Sequence, residues 1–93
     1  MYADQAAQTE AQERERLLLK AQYQWLMSNK QGRSLMYMQL GRAGIWRSSF
    51  STDALAMAFA EGQRQTGLLL LSDLQTFCPD LCVQMMQEQQ NHE

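Results

Sequence analysis

The segment from Ser51 to Phe77 holds no proline and repeats apolar residues at helical spacing, so it predicts one long helix. Leu55, Phe59, Gly62, Thr66, Leu70 and Phe77 fall on or near one stripe of that helix. Ser51 is a good N-cap, with Asp53 favourably placed in the first turn. Gly62 and Gly67 lie in the interior, where each costs about 1 kcal/mol relative to alanine. A rod that accepts this cost twice must gain something at those positions.

Small residues let another backbone approach closely. Ala54, Ala58 and Gly62 recur every fourth residue and form one ridge, while Ala56, Ala60 and Gly67 form a looser second set. Two readings follow. In the first, the ridge serves packing within the chain. In the second, it marks a contact with another subunit. Both take Ala54, Ala58, Gly62, Arg64 and Gly67 as the helix-packing or interface residues. A glycine-rich phosphate cradle is the poorest fit, because no strand precedes these glycines and such a cradle opens a helix. Glu61 and Arg64, three apart, suit a surface ion pair worth about 0.2–0.5 kcal/mol.

The rest of the chain reads as helix too. Residues 4–27 predict a first helix whose opening, ADQAAQTEAQERER, has little to bury and frays. Leu18, Ala21 and Trp25 then share one helical spacing and Leu19, Tyr23 and Leu26 another, so this half is expected to pack on more than one side. Ser28 and Asn29 can cap a second helix from about Lys30 to Ala43, closed by Gly44. Ile45, Trp46 and Phe50 are too apolar for a free loop and are expected to tuck into the core. Cys78-Pro79 opens a last helix to about Gln89, since proline suits the first helical position.

One proline and five glycines in 93 residues exclude an all-β chain rich in turns. The expected fold is therefore all-α: a small antiparallel bundle of three principal helices plus a short C-terminal helix, the N-terminal helix partly projecting. Residues 1–16 form the polar, fraying segment, 17–89 the helical domain and 90–93 a polar tail. A chain this short buries a modest fraction of its surface, so self-association or partner contact is expected.

Charge and side-chain chemistry narrow the function. The net charge is −2, yet Lys30, Arg33, Arg42, Arg47 and Arg64 face only Asp53 and Glu61 between Ser28 and Arg64. Lys30, Arg33, Arg42 and Arg47 are thus candidate nucleic-acid contacts, with Trp46 or Tyr37 for stacking. The blander reading makes these cations ion-paired helix-end groups. Cys78 and Cys82, four apart, suit neither a disulfide framework nor a zinc site, for which His92 is the one further ligand, and read as small buried hydrophobes. Ser48, Ser49 and Ser51 lack a partner base, and Asp73, Asp80 and a lone Glu61 make no acid–base pair, so an enzyme is not expected. No cofactor or metal is implied. The apolar runs are too short for a bilayer and the polar, acidic start is no signal peptide, so no membrane role is expected.

The stretch Ser28 to Glu88 resembles a family of small tailed-bacteriophage proteins, the Bbp-nineteen-like phage domain, named after a Bordetella phage reading frame. The likeness rests on Gly32-Arg33, on Gly44 with the aromatic Trp46, and on the Phe50-containing turn. It continues through Glu61-Gly62-x-Arg64-x-x-Gly67 and a late Pro79 followed by Met85 and Glu88. The resemblance implies a phage-encoded protein from a region rich in head, portal and internal virion genes. It implies no catalytic residues. The expected function is a structural or interaction protein of the virion or its assembly, binding itself or other phage virion proteins. Its expected location is the bacterial host cytoplasm during infection, or the virion. Nucleic-acid binding through the cations, and a host-takeover role in which a host protein is bound, are the alternatives.

Overall fold

The computed structural model describes residues 2–91. They form four helices: α1 (Tyr2–Met27), α2 (Lys30–Arg42), α3 (Ala54–Phe77) and α4 (Pro79–Gln90). Each helix packs against the other three. The fold is a small all-α helical bundle, as the spacing of apolar residues predicts.

Local chemistry sets each boundary. Asn29 caps α2, its side-chain oxygen accepting from the Gly32 N–H at 2.7 Å. The sequence LGRAGI closes that helix. Gly44, at φ +84°, donates to the Gly41 carbonyl and Ile45 donates to that of Leu40, which is a Schellman closure. The same turn drives Ile45 into the core beside Leu40. The start of α3 differs from expectation. Asp53 is the N-cap, accepting from the Leu55 and Ala56 N–H groups, while the Ser51 hydroxyl oxygen accepts from the Asp53 N–H ahead of the helix. Asp53 prevails because its carboxylate reaches two orphan donors at the positive end of the helix. Between α3 and α4 there is a single corner residue, Cys78, and Pro79 takes the first position of α4.

The core is small and shared evenly. Among the described residues, Met27, Leu40, Leu74 and Met85, one from each helix, are the large side chains with essentially no exposure. Ile45, Cys78 and Cys82 complete the cluster. Both cysteines are free and buried, and burial pushes both thiols above their ordinary range. Tyr23 stacks on Phe77 at 5.9 Å between ring centroids and donates to Asp73 at 3.0 Å, tying α1 to α3.

The bundle is flat. Its Cα extents are 52 × 36 × 14 Å, and the thin dimension is the depth of two helices packed at about 8–10 Å. The radius of gyration is 17.0 Å, against about 12 Å for a compact chain of this length. The N-terminal half of α1 projects, with Asp4 to Glu10 exposed. The outer face of the remainder also lacks partners among the described residues. Leu18 and Trp25 are exposed there, so α1 packs on one side, through Tyr23, Leu26 and Met27, rather than on several. Phe50 is likewise exposed. Of the three apolar connector residues Ile45 alone enters the core, while Trp46 lies half-open and stacks on Tyr37.

The two α3 glycines have opposite surroundings. A Cβ on Gly67 would lie 2.6 Å from both Ala43 Cβ and Ile45 Cγ2, whereas a Cβ on Gly62 would meet nothing within 4 Å. Gly67→Ala should therefore destabilise by about 1–3 kcal/mol through overpacking. Gly62→Ala should stabilise by about 1 kcal/mol in dilute solution, by helix propensity alone. Urea unfolding of the two variants checks the difference in sign.

Tyr23 gives a second test. Burial first, then its hydrogen bond to Asp73, pushes the phenol up to about 12 from 10. The folded state thus holds this proton more tightly than the unfolded chain, and the benefit is complete below pH 10 and is lost as pH rises towards 12. Tyr23→Phe should flatten the loss of stability in that window, as read by thermal melts across alkaline pH.

Candidate interaction surfaces

The sequence directs attention to two residue sets, the small residues of α3 and the central cations, and the structure divides both. Ala56 and Ala60 line a cleft of about 330 Å³ against the connector, together with Ser48, Ser49 and Ser51. Gly67 sits just beyond, under Ala43 and Ile45. The looser small-residue set therefore lies on the connector side: Gly67 is buried and Ala60 half-buried, while Ala56 stays exposed at the cleft. The Ser49 hydroxyl fastens the connector to α3 by donating to the Glu61 carboxylate, which holds that carboxyl below its usual range. Gln65 and Arg64 lie beside the same carboxylate, at 3.4 and 3.8 Å.

Ala54, Ala58 and Gly62 occupy the outer side and are exposed. Reading this ridge as packing within the chain is thus corrected: the bundle is two helices deep, and none of the described elements reaches that face. Leu55, Phe59 and Leu69 flank it at 83%, 69% and 67% exposure. The result is an open, uncharged face, apolar from Leu55 to Gly62 and again at Leu69, with Gln65 and Thr66 between, on a helix anchored by its other side.

Helices α1 and α2 each expose further apolar side chains. Trp25 is 74% exposed, with Leu17 and Leu18 above it on α1. Leu35 and Met38 are also open on α2. Spacing alone assigns Leu18, Ala21 and Trp25 to packing, and the structure leaves all three exposed. The signal for exposure is subtle: α1 and α3 each carry two apolar stripes, more than four short helices can cover.

The cations are dispersed. Arg33 is buried, and its guanidinium donates to Glu88 on α4 and, at 2.9 Å, to the Met27 carbonyl at the end of α1. It cannot reach a phosphate, and its assignment as a nucleic-acid contact is corrected on that ground. Arg47 and Arg64 line the cleft beside the connector, and Arg42 borders a separate groove with Gln39, Gln63 and Thr66. Lys30 lies in a third place, beside Ser34 and Glu88. Gly32 explains its pairing with Arg33. A Cβ there would lie 1.9 Å from the Leu26 carbonyl oxygen, so only glycine admits the close α1–α2 corner that brings Arg33 to Met27.

Among the described residues, no three His, Cys, Asp or Glu side chains cluster to hold a metal ion, and no helix is long and apolar enough to cross a membrane. His92 lies outside the described residues.

The fold and its surfaces define a small all-α protein with apolar faces and a tightly built α1–α2 corner. The family model for the Bbp19-like phage protein matches residues 23–87, and the chain belongs to that family. The matched region contains the Gly32-Arg33 corner, the LGRAGI closure and both α3 glycines. No curated protein and no solved structure matches the chain.

Arg33 carries the prediction for this site. Arg33→Met leaves the Glu88 carboxylate without its partner in a largely enclosed position, which should cost about 3 kcal/mol. Urea unfolding measures it. Unchanged stability with weakened DNA retention would return Arg33 to the nucleic-acid reading.

Proposed function

We propose that this phage protein is a non-enzymatic interaction protein of the virion or of its assembly, acting through exposed apolar helix faces. The observation that carries this reading is the unshielded pair of faces, Leu18–Trp25 on α1 and Leu55–Leu69 on α3. Each large apolar side chain buried against a partner contributes roughly 1.5–3 kcal/mol, so a few of them suffice for a specific contact. The family membership supports a phage-encoded role. The dispersal of Lys30, Arg42, Arg47 and Arg64 favours this reading over a nucleic-acid track, which needs cations aligned along one groove.

Lys20, within the α1 stretch that carries this face, and Lys30, at the start of α2, give natural attachment points for amine-reactive cross-linking. Cross-linking mass spectrometry on purified particles and assembly intermediates should join them to another phage protein. Trp25→Ser should remove those links without lowering the melting temperature, because the indole is largely open. Links to host proteins alone would overturn the proposal.

A further inference from the structure

The outer face of α3 is complementary to itself, and we propose that it joins two copies of this chain, crossing antiparallel with a two-fold axis at Gly62. This deepens the interaction reading above, and rests on its use of apolar helix faces, by naming one occupant.

Leu55 and Leu69 stand at equal distances on either side of Gly62. Three residues away stand Phe59 and Gln65, four away Ala58 and Thr66, and seven away Leu55 and Leu69, all exposed. Reversing the helix direction maps these positions onto one another. In an antiparallel crossing Leu55 of one copy therefore meets Leu69 of the other, twice, and Gly62 meets Gly62. An isologous contact sets each position against its mirror position, so the Leu55–Leu69 contact forms twice, while Phe59 meets Gln65 and Ala58 meets Thr66 without a clash of charge.

Three further observations fit a second copy. Between Leu55 and Leu69 no α3 residue of the face carries a charge, since Glu61 and Arg64 turn towards the connector, and Arg42 of α2 borders it only beside Thr66, away from the Gly62 axis, so the α3–α3 seam itself brings no like charges together. The axis is open: nothing lies within 4 Å of a Gly62 Cβ, which lets two backbones approach at the near limit of helix packing, about 8 Å. Finally, the surface is large. The chain exposes 7118 Å², against about 5500 Å² for a compact monomer of 10.7 kDa. A stable contact removes about 800 Å² from each partner, and the surplus is shared between the projecting start of α1 and the open face of α3.

Sedimentation equilibrium on the full chain across a wide concentration range should show a monomer–dimer equilibrium. Gly62→Leu and Leu69→Asp should each weaken it by about tenfold or more while leaving the circular dichroism spectrum unchanged. Cysteine pairing tests the orientation. Gly62→Cys should oxidise to a linked dimer. Leu55→Cys and Leu69→Cys should link only when the two variants are mixed. The wild-type chain, whose Cys78 and Cys82 are buried, should not link. A strict monomer, a dimer indifferent to both substitutions, or self-linking of Leu55→Cys alone would overturn the proposal. A monomer that still cross-links to phage proteins defeats this inference and spares the interaction reading. A dimer without phage contacts does the reverse.

Discussion

The guanidinium of Arg33 is where the bundle is tied. It satisfies the last carbonyl of α1, which has no basic residue in its own final turn, and in the same stroke pairs with Glu88 on α4. A helix end left buried without donors is costly, and the negative end of the α1 dipole favours a cation. Arg33 can serve it only because Gly32 lets the first turn of α2 press against Leu26. The Gly-Arg dipeptide is thus one device: the missing side chain sets the distance and the charged one closes the gap. Three helices are fixed in relation to each other by it, and the four fully buried side chains can then meet at one point.

A core of one large side chain per helix cannot spread across the whole chain. Helices α1 and α3 are about twice as long as α2 and α4, so the short pair covers only part of the long pair. The uncovered lengths are polar at the start of α1 and apolar at the start of α3. The first is easily solvated. The second is not, and it is this difference in composition, more than the projection itself, that makes α3 the helix with unfinished packing.

Much of this is legible in the sequence. Most helix boundaries, Gly44 as a closure and Pro79 as a start follow from short-range chemistry that acts within a few residues, and the burial of both cysteines follows from the apolar character of the free thiol. The fates of Arg33, Phe50 and Gly62 do not follow. Each depends on what lies across from it, and periodicity tells which residues share a face, not whether the face is covered. Arg33 reads as one of five similar cations; its burial is set by Glu88, 55 positions away. Gly62 and Gly67 read as one feature because they are close in sequence, yet five residues turn a helix by about 500°, which puts them about 140° apart around the axis. That angle separates a position under the connector from one facing outwards.

The connector gives the outer face its rigidity. Ser48 and Ser51 accept from backbone N–H groups within the connector, and Ser49 bonds across to Glu61, so the stretch of chain leading into α3 is held along its inner side. Ala56 and Ala60 make room for it there. A helix pinned in this way presents its opposite face already ordered, and binding need not pay the entropy of fixing it. The alanines and glycines of α3 therefore divide the labour between two seams: Ala60 and Gly67 settle the helix within its own chain, Ala56 borders the cleft, and Ala58 and Gly62 lie between Leu55 and Leu69 on a face shaped for a second helix.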